Sequence, residues 1–167
     1  MAERRDPSVD FDSLLLLIGR LNYAWTNTES LLIHLIAGLA RTDKDRAIII
    51  FLTLNTTRAR VDIVERLAKL DDTPDNQKTR VLAFTQAMMK YSGLRNRYSH
   101  SIYAFDPESG DARTIMMRIA DRKDGLKMGR SDLIDATAIG DIEKAIADLS
   151  ELNKLCWRII RDFEFPA

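Results

Sequence analysis

An arginine, an asparagine and a histidine in this chain have a spacing that suits the handling of an anion. Arg95 stands five residues before His100, which is one of only two histidines in the chain. Asn96 and His100 are four residues apart, so they share one face of a helix. A guanidinium makes two-point contacts with phosphate oxygens, and an imidazole with an unperturbed pKa of about 6.5 exchanges protons at neutral pH. These residues predict a site that binds phosphate and moves protons.

The position of Arg95 is unusual because it continues an apolar helical stripe. The stripe consists of Val81, Phe84, Met88 and Tyr91, and the same steps of three and four lead on to Arg95 and Tyr98. A buried guanidinium needs a partner. Glu29 lies on the inward stripe of the first predicted helix, so we expect Glu29 and Arg95 to approach each other. Alternatively, Glu29 and Arg95 neutralise each other inside the core and have no further role, or each side chain tilts to solvent.

Four helical patterns must position these residues. The first runs from about residue 10 to 40, with Leu14, Ile18, Leu21, Trp25, Leu32 and Ile36 inward. The second opens at Thr42 and carries Ile48, Leu52, Ala59, Ile63, Leu67 and Leu70 inward. The third begins with Thr73 as cap and Pro74 as its first residue, and it ends near Ser99. The fourth covers about Thr137 to Phe163 after a short helical lead-in from Ser131, with Ile142, Ile146, Leu149, Cys156 and Ile160 inward.

The periodicity changes between His100 and Arg130. Residues 102–105 precede a turn cluster at 106–110, and the apolar residues that follow alternate with others, as strands require: Ile115, Met117 and Ile119. We expect two or three short strands. The predicted fold is therefore an all-α four-helix bundle with a small antiparallel β-insert at about 101–130, between the third and fourth helices. The whole chain, 1–167, is expected to form one domain.

Charge, cysteine and histidine content and the lack of long apolar runs restrict the functions that the chain can have. Lys and Arg together number 25, as do Asp and Glu, so net charge does not point to nucleic acid or membrane. From Arg95 to Arg130, however, eight basic residues face five acidic ones, a local excess that could attract a polyanion. The single cysteine, Cys156, rules out an internal disulfide, and two histidines give little support to a metal site. The first residues, Met1–Asp6, contain no apolar signal region, and no apolar run is long enough to span a bilayer, so a cytoplasmic protein without cofactor or metal is expected.

The run Leu94-Arg95-Asn96-Arg97-Tyr98-Ser99-His100 at the end of a third helix resembles the signature of the HEPN superfamily. That signature is an arginine, four to six residues and a histidine, often with asparagine directly after the arginine. The first helix supports this, because Ile18-Gly19-Arg20-Leu21-Asn22-Tyr23-Ala24-Trp25 is similar to the opening helix of small bacterial HEPN-like proteins. The resemblance covers nearly the whole chain.

The resemblance implies metal-independent RNA cleavage at a cleft between two copies of the chain. His100 would be the general acid or base, Arg95 would stabilise charge on the phosphate, and Asn96 would orient one of them. Supporting or substrate-binding roles would fall to Glu29, Arg97, Tyr98 and Tyr103. Some toxin members place a tyrosine two residues after the histidine; here that position is Ile102, and the tyrosine comes one residue later.

Two further readings remain open. Many HEPN-like domains bind partners without cleaving RNA. The chain could therefore be a non-catalytic interaction or regulatory module, for example in a two-gene toxin–antitoxin or defence system, with a protein antidote or neighbour-gene product as partner. A third reading is a nucleotide-binding helper that uses Arg95 for phosphate without cleavage.

Overall fold

The first predicted helix is two helices. A computed structural model describes residues 10–106, 108–117, 120–127 and 129–167. In it, α1 spans Phe11–Ser30 and α2 spans Leu32–Leu39. The helical path tightens at the junction, where the Leu31 amide donates to the carbonyl of Thr28 at 3.2 Å. All of the predicted inward residues of this region are buried: Leu14, Ile18, Leu21, Trp25, Leu32 and Ile36.

The second predicted helix is also interrupted. Helix α3 spans Lys44–Thr53 and begins at Asp43, whose side chain accepts from the Arg46 amide at 2.8 Å. Helix α4 spans Thr57–Ala68 and is capped by Thr56. The interruption changes which positions face inward, so the predicted stripe is wrong in part: Leu52 and Leu70 are exposed, and Ile48, Ala59, Ile63 and Leu67 are only partly buried. The buried positions are instead Ala47, Phe51, Val61, Val64 and Ala68.

The third predicted helix has a step near its end. Helix α5 spans Asp75–Met89 and α6 spans Ser92–Ser99. Pro74 is the residue before α5 rather than its first residue, and the Thr73 hydroxyl donates to the carbonyl of Leu67 instead of capping the helix. Four residues of the predicted stripe are buried and two are partly exposed: the buried ones are Val81, Phe84, Met88 and Tyr98, and the others are Tyr91 and Arg95.

Within the residues that the structure describes, five short strands follow α6, where two or three were expected. Strands β1 (Ser101–Phe105), β2 (Ala112–Met116) and β5 (Ser131–Leu133) form an antiparallel sheet in the order β1-β2-β5, and β3 (Ala120–Arg122) pairs with β4 (Gly125–Lys127). The predicted helical lead-in at Ser131 is wrong, because this segment pairs with β2 as a strand. Ile119 and Arg118 lie outside the described residues, as do Met1–Asp6. The turn between β1 and β2 uses Gly110 with a φ of 74°, a backbone conformation that favours glycine.

Helix α7 spans Ala136–Asp162, close to the predicted bounds. Asp135 accepts from the Ala138 amide at 2.8 Å, which satisfies a donor in the first turn. Four of the five predicted inward residues are buried, and Ile146 is partly exposed. The four are Ile142, Leu149, Cys156 and Ile160.

The chain divides into two compact units. The motif unit, Met1–Tyr23 with Ser92–Ile146, contains the start of α1, helix α6, the five strands and the start of α7. The helical unit, Ala24–Tyr91 with Ala147–Ala167, contains the remaining helical segments, and in it α4 packs against α2 and α5. The protein is thus mostly helical with a small antiparallel sheet, and the four-helix bundle stays a prediction. No helix in the described ranges combines the length and apolar composition that crossing a bilayer requires.

Candidate functional site

Arg95 and Asn96 lie in the middle of α6 and contact each other. Nη1 of Arg95 donates to Oδ1 of Asn96 at 2.9 Å. Arg95 is partly exposed rather than buried in the core, as its place on the predicted apolar stripe had led us to expect. Its Nε atom is nevertheless buried, so only part of the guanidinium can meet an anion from solvent.

His100 joins α6 to β1 and presents its ring to solvent. Its amide donates to the carbonyl of Asn96 at 3.0 Å, which continues the helical pattern for one more residue. Its own carbonyl accepts from the Met117 amide at 3.3 Å, so the backbone is held on the strand side as well. Within the described residues, no side chain forms a hydrogen bond with the ring. An exposed imidazole on a fixed backbone is a suitable group for proton transfer.

Contacts on the inner side of α6 hold the motif in place. Oγ of Ser99 donates to Oδ1 of Asn22 on α1 at 2.7 Å. The Ser101 hydroxyl donates to the carbonyl of Arg97, and the Tyr103 hydroxyl donates to the carbonyl of Tyr98. Helix α6 is therefore tied to α1 on one side and to β1 on the other. Asn22 was not predicted as a site residue, because nothing in the local sequence pattern shows which helix it meets.

Tyr98 and Tyr103 support the motif from within. Burial, together with the neighbouring Tyr98, raises the pKa of Tyr103 to about 12. Burial also raises the pKa of Tyr98, while the charge of Arg97 partly opposes the shift. Both phenols are neutral at physiological pH. Their arrangement suits a structural role beneath the motif better than direct contact with a substrate.

Arg97 forms a small charged cluster with Asp132 of β5 and with Arg130, the residue before β5. Nη2 of Arg97 lies 3.6 Å from Oδ2 of Asp132, and Nε of Arg130 lies 2.6 Å from Oδ1 of the same carboxylate. The guanidinium of Arg97 also lies over the ring of Tyr98, 5.4 Å from its centroid. Asp132 is largely buried, whereas Arg130 is exposed. Neither Asp132 nor Arg130 was named as a site residue from sequence, because three-residue strands carry little local signal.

Glu29 is bound by three donors within the helical unit. Its carboxylate accepts from Nε1 of Trp25 at 3.1 Å, from Oγ1 of Thr57 at 2.7 Å and from Nη1 of Arg60 at 3.1 Å. Nε of Arg60 donates in turn to the carbonyls of Phe51 and Leu54. Arg60 is therefore a cation that pairs with Glu29, the role that the sequence led us to expect of Arg95. The contacts give Glu29 a structural role in its own unit.

A cleft in the motif unit lies between the starts of α1 and α7. Its volume is about 400 Å³, and its lining includes Leu16, Leu17, Arg20, Ile139 and Glu143. None of the motif residues from Arg95 to His100 lines it. No group of three or more His, Cys, Asp or Glu side chains in the described part of the chain could hold a metal ion. The motif itself presents a guanidinium, an amide and an imidazole.

Comparisons with protein-family models, with curated proteins and with solved structures found no match.

Proposed function

We propose that this protein is a metal-independent endoribonuclease of the HEPN type, acting in the cytoplasm. The observation that carries the proposal is the end of α6, where the exposed ring of His100 follows one turn after the contacting pair Arg95 and Asn96. Such a site offers a proton-transfer group and, on the last turns of the same helix, a guanidinium that can bind phosphate. RNA supplies its own nucleophile in the 2′-hydroxyl, so no nucleophilic side chain is required.

The reaction is a transfer of the phosphate from one ribose oxygen to another. The 2′-oxygen forms a bond to phosphorus as the bond from phosphorus to the 5′-oxygen breaks. His100 accepts the proton of the 2′-hydroxyl or donates a proton to the departing 5′-oxygen. Arg95 binds the non-bridging oxygens, whose negative charge grows in the transition state. Asn96, through its contact with Arg95, orients the guanidinium. The products are a 2′,3′-cyclic phosphate and a 5′-hydroxyl.

A homodimer fits this chemistry because one motif supplies one histidine and the reaction has two proton transfers. The outer face of α1 offers a surface for the second copy. Leu15 and Tyr23, four residues before and after Gly19, are both exposed, and a Cβ atom at Gly19 would meet nothing within 4 Å. A two-fold axis at Gly19 would place Tyr23 of each copy against Leu15 of the other in an antiparallel crossing. Asn22 on this helix binds Ser99, so the same surface adjoins the motif.

A cleavage assay tests the proposal. The purified protein is incubated with mixed RNA in EDTA, and the products are separated on a denaturing gel. Cleavage should persist in EDTA, and His100→Ala should lower its rate by about 10²–10⁴-fold, the range expected for one proton-transfer group. Arg95→Lys should also fail, because lysine keeps the charge but lacks the planar fork.

Two controls separate this mechanism from others. An oligonucleotide with 2′-deoxyribose at the cut site should be inert, and the RNA products should end in cyclic phosphate. Cleavage of DNA, or cleavage that survives His100→Ala, would contradict the mechanism. Sedimentation that shows only monomer across the micromolar range would contradict the dimer.

The alternative function is a non-catalytic module that binds a protein antidote or another neighbour-gene product. One observation favours it: the sheet exposes apolar side chains on its outer face, among them Ile102 and Leu133, with Met117 beside them. The strand register places Ile102 opposite Ile115 and Leu133 opposite Arg113, all on this one face. Exposed apolar surface of this kind is typical of protein interfaces. A well-folded dimer that cleaves no RNA would favour this function.

A further inference from the structure

Two arginines next to the motif share one carboxylate, and neither is fully satisfied by it. Nη2 of Arg97 lies 3.6 Å from Asp132, which is longer than a hydrogen bond. Nε of Arg97 is buried and has no hydrogen-bond partner among the described residues. Arg130 contacts Asp132 through Nε at 2.6 Å, and its side chain is 77% exposed. Each guanidinium carries five N–H donors in a fork that matches two oxygens of one anion. The pair can therefore bind more acceptor oxygens than Asp132 presents.

The cluster approaches His100 along α6, through Arg97, and across the sheet, through Arg130. Along α6, Arg97 precedes His100 by three residues, and such residues are neighbours on a helix surface. At about 100° per residue, His100 lies between Asn96 and Arg97 on that surface. Asn96, His100 and Arg97 thus form one continuous strip at the end of α6, and Arg95 lies about 100° from Asn96 on the side away from Arg97.

The sheet brings Arg130 to the same end. The amides of two consecutive residues at the end of β2 bind the two backbones: Met116 donates to the carbonyl of Arg130 at 3.0 Å, and Met117 donates to the carbonyl of His100 at 3.3 Å. Arg130 and His100 therefore flank β2 on opposite sides. Neighbouring strands are about 4.8 Å apart, so their backbones are separated by roughly 10 Å, which a long arginine side chain can cross.

We propose that Arg97 and Arg130 form a second phosphate subsite, which binds the RNA backbone one or two nucleotides from the phosphate cleaved at His100, and that Asp132 occupies this subsite when RNA is absent. The proposal rests on the proposed function, since it takes RNA as the ligand. On binding, a backbone phosphate replaces the carboxylate as the acceptor for both guanidinium groups. Asp132 thereby lowers the affinity for any anion that cannot engage the whole strip.

Asp132 is held in this position by its strand. It pairs with Thr114 in the register of β2 and β5, which directs its side chain to the inner face of the sheet, where it is 16% exposed. The carboxylate cannot simply swing into solvent in the way that an exposed side chain could. Its removal should leave two positive charges facing the strip without a competitor.

The test is a binding measurement with a labelled single-stranded oligonucleotide of 2′-O-methyl RNA, which lacks the nucleophile and cannot be cleaved. Fluorescence anisotropy gives the dissociation constant at several salt concentrations. Arg130→Gln should weaken binding about tenfold and reduce the slope of log affinity against log salt by about 0.7, the value for one phosphate contact on a single strand. Asp132→Asn should strengthen binding several-fold.

Arg113→Gln is the matched control, because Arg113 is also exposed but lies on the outer face of the sheet, opposite Leu133. It should bind like the wild type. Arg97→Gln should behave like Arg130→Gln, and circular dichroism checks that this partly buried variant is folded. Should Arg97→Gln fail to fold, the exposed Arg130 and the Asp132→Asn substitution still decide the question.

The outcomes separate the subsite from the catalytic proposal. If Arg130→Gln binds as tightly as Arg113→Gln, or if Asp132→Asn binds no tighter than the wild type, the subsite is wrong, even where His100→Ala abolishes cleavage of ordinary RNA. If binding depends on Arg130 but no RNA is cleaved, the subsite stands and the ribonuclease proposal fails. If the wild type does not bind the oligonucleotide, the subsite is wrong, and cleavage of ordinary RNA alone decides the ribonuclease proposal.

Discussion

Removal of the Glu29 carboxylate should destabilise the protein strongly. Glu29 is buried with a side chain that is 8% exposed, and it accepts hydrogen bonds from an indole, a hydroxyl and a guanidinium. Glu29→Ala leaves Trp25, Thr57 and Arg60 without their shared acceptor. Breaking a buried ion pair by removal of one partner costs roughly 3–5 kcal/mol.

The structure places the expected loss at the lower end of this range. Arg60 retains the carbonyls of Phe51 and Leu54 as acceptors, and its guanidinium lies 4.0 Å from the centroid of the Phe51 ring. Its side chain is also 20% exposed, so water can reach it. We expect a loss of about 3 kcal/mol, which for a chain of this size lowers Tm by roughly 6–12 °C.

Urea denaturation of a double-mutant cycle measures the effect. Glu29→Ala, Arg60→Ala and the double variant are compared with the wild type, and the coupling between the two sites should be at least about 1 kcal/mol. Asp72→Ala is the control, because it breaks an ion pair of normal length, 2.8 Å to Arg41, whose partners are both exposed. This control should leave the unfolding midpoint unchanged. Additive effects of Glu29→Ala and Arg60→Ala would refute the reasoning.

Three further predictions concern alkaline pH, thiol reactivity and packing. Because the pKa of Tyr103 rises from its ordinary value near 10 to about 12 on folding, its contribution to stability is complete below pH 10 and is lost as pH rises through about 12. Titration of phenolate absorbance should show this late step, and Tyr103→Phe should remove it. Cys156 is buried, and burial raises the pKa of its thiol to about 12. Iodoacetamide should therefore modify Cys156 in urea but not in the native protein, which mass spectrometry can detect. Rapid labelling of the native protein would contradict this. Gly38→Ala should destabilise the protein by about 1–3 kcal/mol in thermal unfolding, because the new methyl group overlaps the buried ring of Phe165; an unchanged Tm would refute the overlap.

Hydrophobic periodicity predicted the buried residues of the first helical region and the bounds of α7 well, because this signal depends on local sequence alone. The inward residues of the first predicted helix are all buried, and the bounds of α7 differ from the prediction by one residue at each end. Periodicity failed where a new cap restarts a helix. Thr56 is a good N-cap residue, but apolar residues on both sides of it continue a helical spacing and concealed the interruption.

Tertiary partners could not be predicted from periodicity. Glu29 was recognised as a carboxylate in need of a cation, yet the sequence does not show that α4 brings Arg60 to it. Asp132 was missed for a related reason. Its strand has three residues and is stabilised by pairing with β2, so its local sequence resembles the start of a helix.

The two backbone hydrogen bonds at the end of β2 have a consequence for how the protein can evolve. The chain leaves the sheet after Met117 and returns at Arg130, and the hydrogen bond from Met116 to Arg130 closes this excursion at its base. The entropy of closing a loop grows slowly with its length, so an excursion with fixed ends tolerates insertion, deletion or replacement. We therefore expect changes of length or sequence in the segment that carries β3 and β4 to leave the backbone contacts of His100 and Arg130 in place.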